Sequence, residues 1–383
     1  MDMMNFHAGR RGLWPRRSAN ERDVSASLIS RRRWVRAACY AVTLLLAGDF
    51  IAAEAADAVS QKSTGRTVSG DVTEITKDGV TVKALSKTVE IPANDISFIK
   101  WSDEPPKLTV VRSDQRGGRY DAAIKGYEEA LKSIDSPAPG LKTDLEYGIA
   151  YCTAQLALQS TGQEADAIAR LEDFQKANPN SYHYYPSLDL IGRLSVKKQD
   201  WERAESSFAE LEKSSLPEYK MTARIGRGNL LLARNGGDPA AAAAEFDAVI
   251  AMDAPSAAEK SKQLEALLGK ATCLIQEKKY PEALGLLDRI VTDVTITDEA
   301  VLAEAYNQQG KCHIAAGEPK LAILSFLHVD TLLFKAQAAH AEALYNLAQL
   351  WPQVGKPGRG DNDRTRLESL YPDSRWAKQL NGK

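Results

Sequence analysis

A small residue recurs along the chain with a large apolar residue one helical turn beyond it, and this recurrence limits the possible folds more than any other feature. Ala123, Ala167, Ala204, Ala242, Ala283 and Ala322 are separated by 37 to 44 residues. Four positions after them come Tyr127, Leu171, Phe208, Phe246, Leu287 and Phe326. Residues four apart share one face of a helix. The alanine lets a second helix approach, and the bulky residue fills the groove beside it. A second small residue stands twelve positions earlier in three copies, at Gly192, Ala271 and Gly310; the offset drifts to 14 at Gly228 and 19 at Gly148. A hairpin of this size cannot bury its apolar faces alone, so neighbours must stack. The spacing predicts a mainly α chain, an α-solenoid of about six helix hairpins over residues 116–380. The segment Gly118–Ser133 is expected as an N-terminal half-unit, the Gly- and charge-rich residues 355–363 as a loop, and 364–380 as a closing helix.

These residues resemble the tetratricopeptide repeat, whose motif is W-x2-L-G-x2-Y, then A-x3-F, then P. Gly148 with Tyr151, Ile191-Gly192 and Gly310 match the first half; Ala204 with Phe208, Ala242 with Phe246 and Ala322 with Phe326 match the second. Asn178-Pro179, Leu216-Pro217 and Tyr371-Pro372 match the helix-ending prolines. The spacing exceeds the family's ~34 residues, and most first-helix Trp and Tyr positions are absent, so an irregular superhelix is expected. The resemblance implies a non-catalytic scaffold that binds a peptide or protein partner in a groove lined by the first helix of each repeat. The residues following the small marker would face it: Arg193, Asn229, Thr272 and Lys311, with Lys197 and Asn307 one turn away. Such a groove is polar and partly basic, suited to carboxylate-bearing peptides, although it does not reproduce the Lys/Asn clamp of some family members. The aromatic run Tyr182-His183-Tyr184-Tyr185 offers Tyr184 and Tyr185 as contacts, since aromatics are enriched at binding hot spots; core packing is the other reading. A cell-wall polymer binder with weak hydrolytic activity is the alternative function, and it would need those rings exposed in a row.

Before the repeats, residues 66–104 alternate with a period of two. Val68, Val72, Ile75, Val80, Val82, Val89, Ile91, Ile96 and Phe98 recur among polar residues, and Asp78-Gly79 marks a tight turn. Four or five short strands are expected, in a small β-barrel-like module of SH3 or Sm type. So few residues give a marginal core, so the module is expected to pack on the helices, as a cap or a docking module. Glu104-Pro105-Pro106 ends the alternation.

Residues 1–55 read differently again. Arg31, Arg32, Arg33 and Arg36 precede an uncharged, mostly apolar run from Ala37 to Gly48, and Ala53-Glu54-Ala55 supplies a small-x-small exit. This is the order of a secretory signal, and the run is short of the ~20 residues of a spanning helix. Ser30-Arg31-Arg32-Arg33-Trp34-Val35-Arg36 also resembles a twin-arginine signal. Export to the periplasm, envelope or exterior is expected, with membrane contact only if the segment stays uncleaved. The formal charge of −2 includes nine basic and five acidic residues in this segment, leaving −6 for the rest. A nucleic-acid binder would carry a basic face, so none is expected as a partner.

Nothing points to an active site or cofactor. His183, His313, His328 and His340 are dispersed, and Cys152, Cys273 and Cys312 lack metal-ligand spacing. Gly226-x-Gly228 lacks a third glycine and follows no strand, and no phosphate loop or nucleophile elbow occurs. Arg359-Gly360-Asp361 matches an adhesion signal in letters alone.

Overall fold

The computed structural model describes residues 56–159, 162–380 and 382. The export signal, with Cys39, lies outside the described residues. Six strands come first: β1 (Ala58–Gln61), β2 (Thr67–Ser69), β3 (Asp71–Thr76), β4 (Gly79–Lys83), β5 (Thr88–Pro92) and β6 (Ile96–Lys100). They form two antiparallel three-stranded sheets, ordered β2-β1-β6 and β3-β4-β5. The four or five strands expected are six, and the two sheets do not close into a clear barrel. The β3–β4 turn is Lys77-Asp78, with Gly79 already in β4. Glycine is needed there because a Cβ would lie 2.3 Å from the Ile91 carbonyl oxygen.

Fifteen helices follow among the described residues: α1 (Leu108–Arg116), α2 (Tyr120–Ser133), α3 (Pro139–Gln159), α4 (Glu164–Ala177), α5 (Tyr184–Lys198), α6 (Trp201–Leu211), α7 (Pro217–Ala233), α8 (Pro239–Ile250), α9 (Ala257–Gln276), α10 (Tyr280–Thr292), α11 (Glu299–Ala315), α12 (Pro319–Leu332), α13 (Gln337–Gln353), α14 (Pro357–Leu370) and α15 (Arg375–Leu380). The odd-numbered helices through α13 are the first helices of hairpins and the even-numbered ones the second. That makes seven hairpins rather than six. The expected half-unit α2 has a partner in α1. Residues 357–363, expected within a loop, open α14: Pro357 starts the helix and Gly360 takes the marker-alanine place, where a Cβ would lie 2.7 Å from the Ala348 carbonyl oxygen. The Arg-Gly-Asp letters therefore lie on a helix, with Arg359 over the Trp351 ring.

Each hairpin closes through a left-handed residue. Gly118, Gly317 and Gly355 serve in three turns, and Gln199 and Lys278 take the same conformation at φ 63° and 62° in two others. Aspartates or serines cap the helices that follow several turns: Asp200, Asp238 and Asp298 accept from first-turn amides, and Ser256 with Glu259 forms a capping box.

The six marker alanines are all fully buried. The bulky residues behind them do more than fill their own hairpins. Phe208 on α6 lies between Gly192 of α5 and Gly226 of α7, where added Cβ atoms would fall 2.5 and 2.3 Å from its ring. Phe246 on α8 lies in the same way between Gly228 of α7 and Gly269 of α9. Tyr127 meets Gly148 of the next hairpin. The offset of 19 at Gly148 is thereby explained: Gly148, Gly226 and Gly269 face the preceding hairpin, while Gly192, Gly228 and Gly310 face their own.

The β module shares the core of the first hairpins. Val59, Val80, Val82, Ile91 and Ile99 form one buried cluster with Leu141, Tyr182 and Tyr219. Asp144 of α3 ties the two together, accepting from Trp101 Nε1 at 2.9 Å and from the Tyr182 hydroxyl at 2.8 Å, with His183 Nε2 at 3.0 Å. At the junction, Arg112 grips both Glu104 oxygens at 2.8 and 2.7 Å and donates to the Ile99 carbonyl at 2.9 Å.

A second buried polar network closes the array. Arg366 donates to both Asp330 oxygens, at 2.6 and 3.0 Å. His340 Nε2 lies 2.9 Å from Asp330, and its Nδ1 2.8 Å from the Tyr371 hydroxyl. Asp363 accepts from Trp351 Nε1 at 2.9 Å. Burial alone would raise the Asp330 pKa, but the hydrogen bonds from His340 and Arg366 outweigh it and hold it at about 2. A carboxyl depressed in the fold contributes stability above its unfolded pKa near 4 and loses it as pH falls through the folded value. Burial of Asp363 pushes that carboxyl the other way. Asp330→Asn is therefore expected to cost about 2 kcal/mol at neutral pH. Urea unfolding at stepped pH should show the gap between wild type and variant closing from pH 4 towards 2; a gap that stays constant would contradict this assignment.

Candidate functional site

Successive first helices pack side by side along the array, α5 between α3 and α7, and α7 beside α9. Asp189, half-buried on α5, exerts its field on Tyr147 of α3, Tyr219 of α7 and Lys262 of α9. Burial opposes the Lys262 ammonium, but Glu265 at 2.9 Å, with Asp189 and Glu218, holds its pKa above the ordinary value. Glu218 also accepts from Asn94 Nδ2 of the β module at 3.0 Å. One turn along α5, Arg193 is half-exposed, 3.6 Å from Asp189. Burial raises the Tyr120 and Tyr151 phenols, and Arg193 partly offsets this. Tyr147 and Tyr219 are buried, so the surface consists of the half-buried Tyr120 and Tyr151 with Asp189 and Arg193, able to hold a polar chain by stacking and charge-assisted hydrogen bonds.

The residues expected to line a basic groove do not assemble into one. Arg193 joins the Asp189 surface. Asn229 is exposed on α7, and Thr272 bonds back to the Leu268 carbonyl. Lys197 turns instead to the end of α3, donating to the Ala157 and Leu158 carbonyls at 2.5 and 3.1 Å and pairing with Glu164 at 3.2 Å. Lys311 is neutralised by Glu342 at 2.5 Å. Asn307 is corrected outright as a partner contact: it is fully buried and donates to the Ala339 carbonyl of α13 at 2.9 Å, because α11 and α13 pack together there. Tyr185 is also corrected, being buried against Tyr219 with ring centroids 5.3 Å apart. Tyr184 is half-buried, with Lys77 of the β module 3.5 Å over its ring. Tyr182 is buried on Asp144 and His183 stacks on Tyr147 at 3.8 Å. The aromatic run is thus largely core and interface packing, not a row of open rings.

Tyr147, Asp189, Glu218 and Lys262 were not among the sequence candidates. The spacing carried a signal for some of them: Tyr147 with Tyr151 and Asp189 with Arg193 each stand four apart, on one face of a helix. Chemistry at the cysteines is disfavoured by burial, which pushes Cys152 up to about 12 and Cys273 and Cys312 up to about 11, far from thiolate character near neutrality. His183, His313 and His340 each have a carboxylate neighbour, Asp144, Glu318 and Asp330. No group of three or more potential metal ligands occurs among the described residues, and no helix among them is long and apolar enough to cross a membrane.

Against known proteins, the tetratricopeptide repeat family model matches residues 190–257 and 230–295. No curated protein matches the chain in sequence. Among solved structures, the chain is similar to a tetratricopeptide repeat protein from Parabacteroides merdae ATCC 43184, at 16% identity over 71% of this chain and 95% of that one, with a TM-score of 0.48. It is also similar to a Rap protein complexed with Competence and Sporulation Factor, at 14% identity, 72% and 77% coverage and a TM-score of 0.47. A third is PilW, a type IV pilus biogenesis factor, at 17% identity, 62% and 97% coverage and a TM-score of 0.40.

Proposed function

The chain is a tetratricopeptide-repeat protein, and from that premise we propose that it is a non-catalytic scaffold that receives a peptide or protein partner on the inner face centred on Asp189. The observation that carries the reading is the half-exposed Arg193, 3.6 Å from Asp189 on α5, with the half-buried Tyr120 and Tyr151 within reach of its charge. Only Arg193 of the expected groove residues belongs to this surface. Its mixed charge fits a partner that carries both an acidic and a basic group, rather than a purely acidic peptide. The β module is read as a small SH3-like cap whose sheets have opened onto the helices. The basic, apolar and small-residue order of residues 31–55 supports export to the envelope or periplasm.

Selection of a displayed random-peptide library on the full chain tests the inner face. Peptides enriched on wild type should lose binding by roughly tenfold or more to an Asp189→Lys/Arg193→Glu variant, the scale of one lost charge-assisted contact. A library that enriches nothing on wild type, or enriches the same peptides on both proteins, removes the reading. Sequencing the N-terminus of protein from a periplasmic fraction tests export separately.

A further inference from the structure

The outward faces of the second helices can be compared position by position, because the repeats supply their own controls. One before, two after and six after the marker alanine, α6 carries Arg203, Ser206 and Glu210, and α10 carries Glu282, Gly285 and Arg289. At the same positions α12 carries Leu321, Leu324 and His328, and four residues further on Leu332. The spacing 321, 324, 328, 332 follows one stripe of a helix, opposite the buried Ala322, Phe326 and Val329. Leu321, Leu324 and Leu332 are 44%, 54% and 67% exposed, and Phe334 just beyond the helix is 52% exposed. His328 at the centre is fixed, its ring stacked on Tyr306 at 4.5 Å and its Nδ1 2.8 Å from the Leu324 carbonyl oxygen.

The stripe is symmetric about His328. Leu324 and Leu332 stand four residues to either side, and Leu321 and Lys335 stand seven. We propose that α12 is a self-association surface, which pairs antiparallel with the α12 of a second copy of this chain across a two-fold axis at His328. Such an interface is isologous, so its stripe must match its own reverse, as Leu324 and Leu332 do about His328. Leu324 meets Leu332 of the second copy, and Leu321 meets the aliphatic stem of Lys335, with Phe334 beside it. The Lys335 ammonium stays on Glu299 of its own chain, 3.6 Å away. In area, the four side chains present on the order of 400 Å² of apolar surface. At the ~57 % apolar share usual for interfaces, that corresponds to roughly 1,400 Å² in total, within the range of specific dimers. The surface is on second helices, so pairing leaves the inner faces of both copies free, and the proposal stands independently of what the inner face binds.

Sedimentation velocity of the full chain over a wide concentration series is the test. Wild type is expected to show a monomer–dimer equilibrium. Leu324→Glu and Leu332→Lys, both at exposed positions, are each expected to weaken it by roughly a hundredfold while leaving unchanged the thermal midpoint read at concentrations where wild type too is monomeric. Mixing the two variants should restore dimers. Only the antiparallel register sets the introduced glutamate of one copy against the introduced lysine of the other, and leaves two native leucines facing each other at the second contact. A wild type that stays monomeric, a dimer indifferent to either substitution, or a mixture that fails to recover would overturn the proposal.

Discussion

Replacing Phe208 with alanine is expected to lower the stability of the array by about 3–5 kcal/mol, the cost of emptying a fully buried aromatic site. The site cannot collapse easily. Phe208 is held from two sides by helix backbone, at Gly192 and Gly226, and neither glycine has a side chain that could swing into the space. The lost contacts also belong to two hairpins at once. In an array whose stability is the sum of units and nearest-neighbour interfaces, the substitution weakens a junction as well as a unit. Urea unfolding should therefore show an earlier midpoint and a broadened or divided transition. A pair of glycine substitutions isolates the cause. Gly285→Ala on α10, where a Cβ meets nothing within 4 Å, should stabilise the helix by about 1 kcal/mol. Gly226→Ala gains the same helix propensity but drives a Cβ to within 2.3 Å of the Phe208 ring, so it should destabilise. Equal signs for the two would refute the wedge.

The second large effect is expected at Asp144. Its carboxylate, 13% exposed, serves Trp101, Tyr182 and His183 together. Asp144→Ala leaves the Trp101 and Tyr182 donors buried without their acceptor, and hydrogen bonds to a charged group contribute about 1.5–3 kcal/mol each. A loss of about 3 kcal/mol or more is expected, concentrated where the β module meets α3. Hydrogen exchange should report it there: amides of β1 and β6 should lose protection in the variant while those of α11 to α13 keep theirs. Uniform loss along the chain would mean that Asp144 supports the array as a whole rather than the attachment of its cap.

The solenoid was legible because close helix packing leaves a one-residue signature: every marker alanine predicted from spacing is fully buried. The last hairpin escaped because its marker is Gly360, set among Pro357, Gly358 and charged residues whose composition imitates a loop. The first escaped because α1 is short and mostly polar. At the site, sequence spacing placed Arg193 on an exposed face of α5, since its helix face is set locally. It could not show that Lys197 reaches the end of α3 or that Asn307 is closed over by α13, because those partners lie 40 and 32 residues away. Nor could it show that the charge of Asp189 acts on Tyr147, Tyr219 and Lys262, which stand on three other helices.

The two glycines of α7 have a further consequence, for the order in which the chain folds. Gly226 and Gly228 each cost an isolated helix about 1 kcal/mol relative to alanine, so α7 is a poor nucleus. It becomes a helix by being clasped, with Phe208 against one glycine and Phe246 against the other. The middle of the chain is therefore expected to follow its flanks, with α6 and α8 forming before α7, the seam at which two separately started stretches of the molecule are joined.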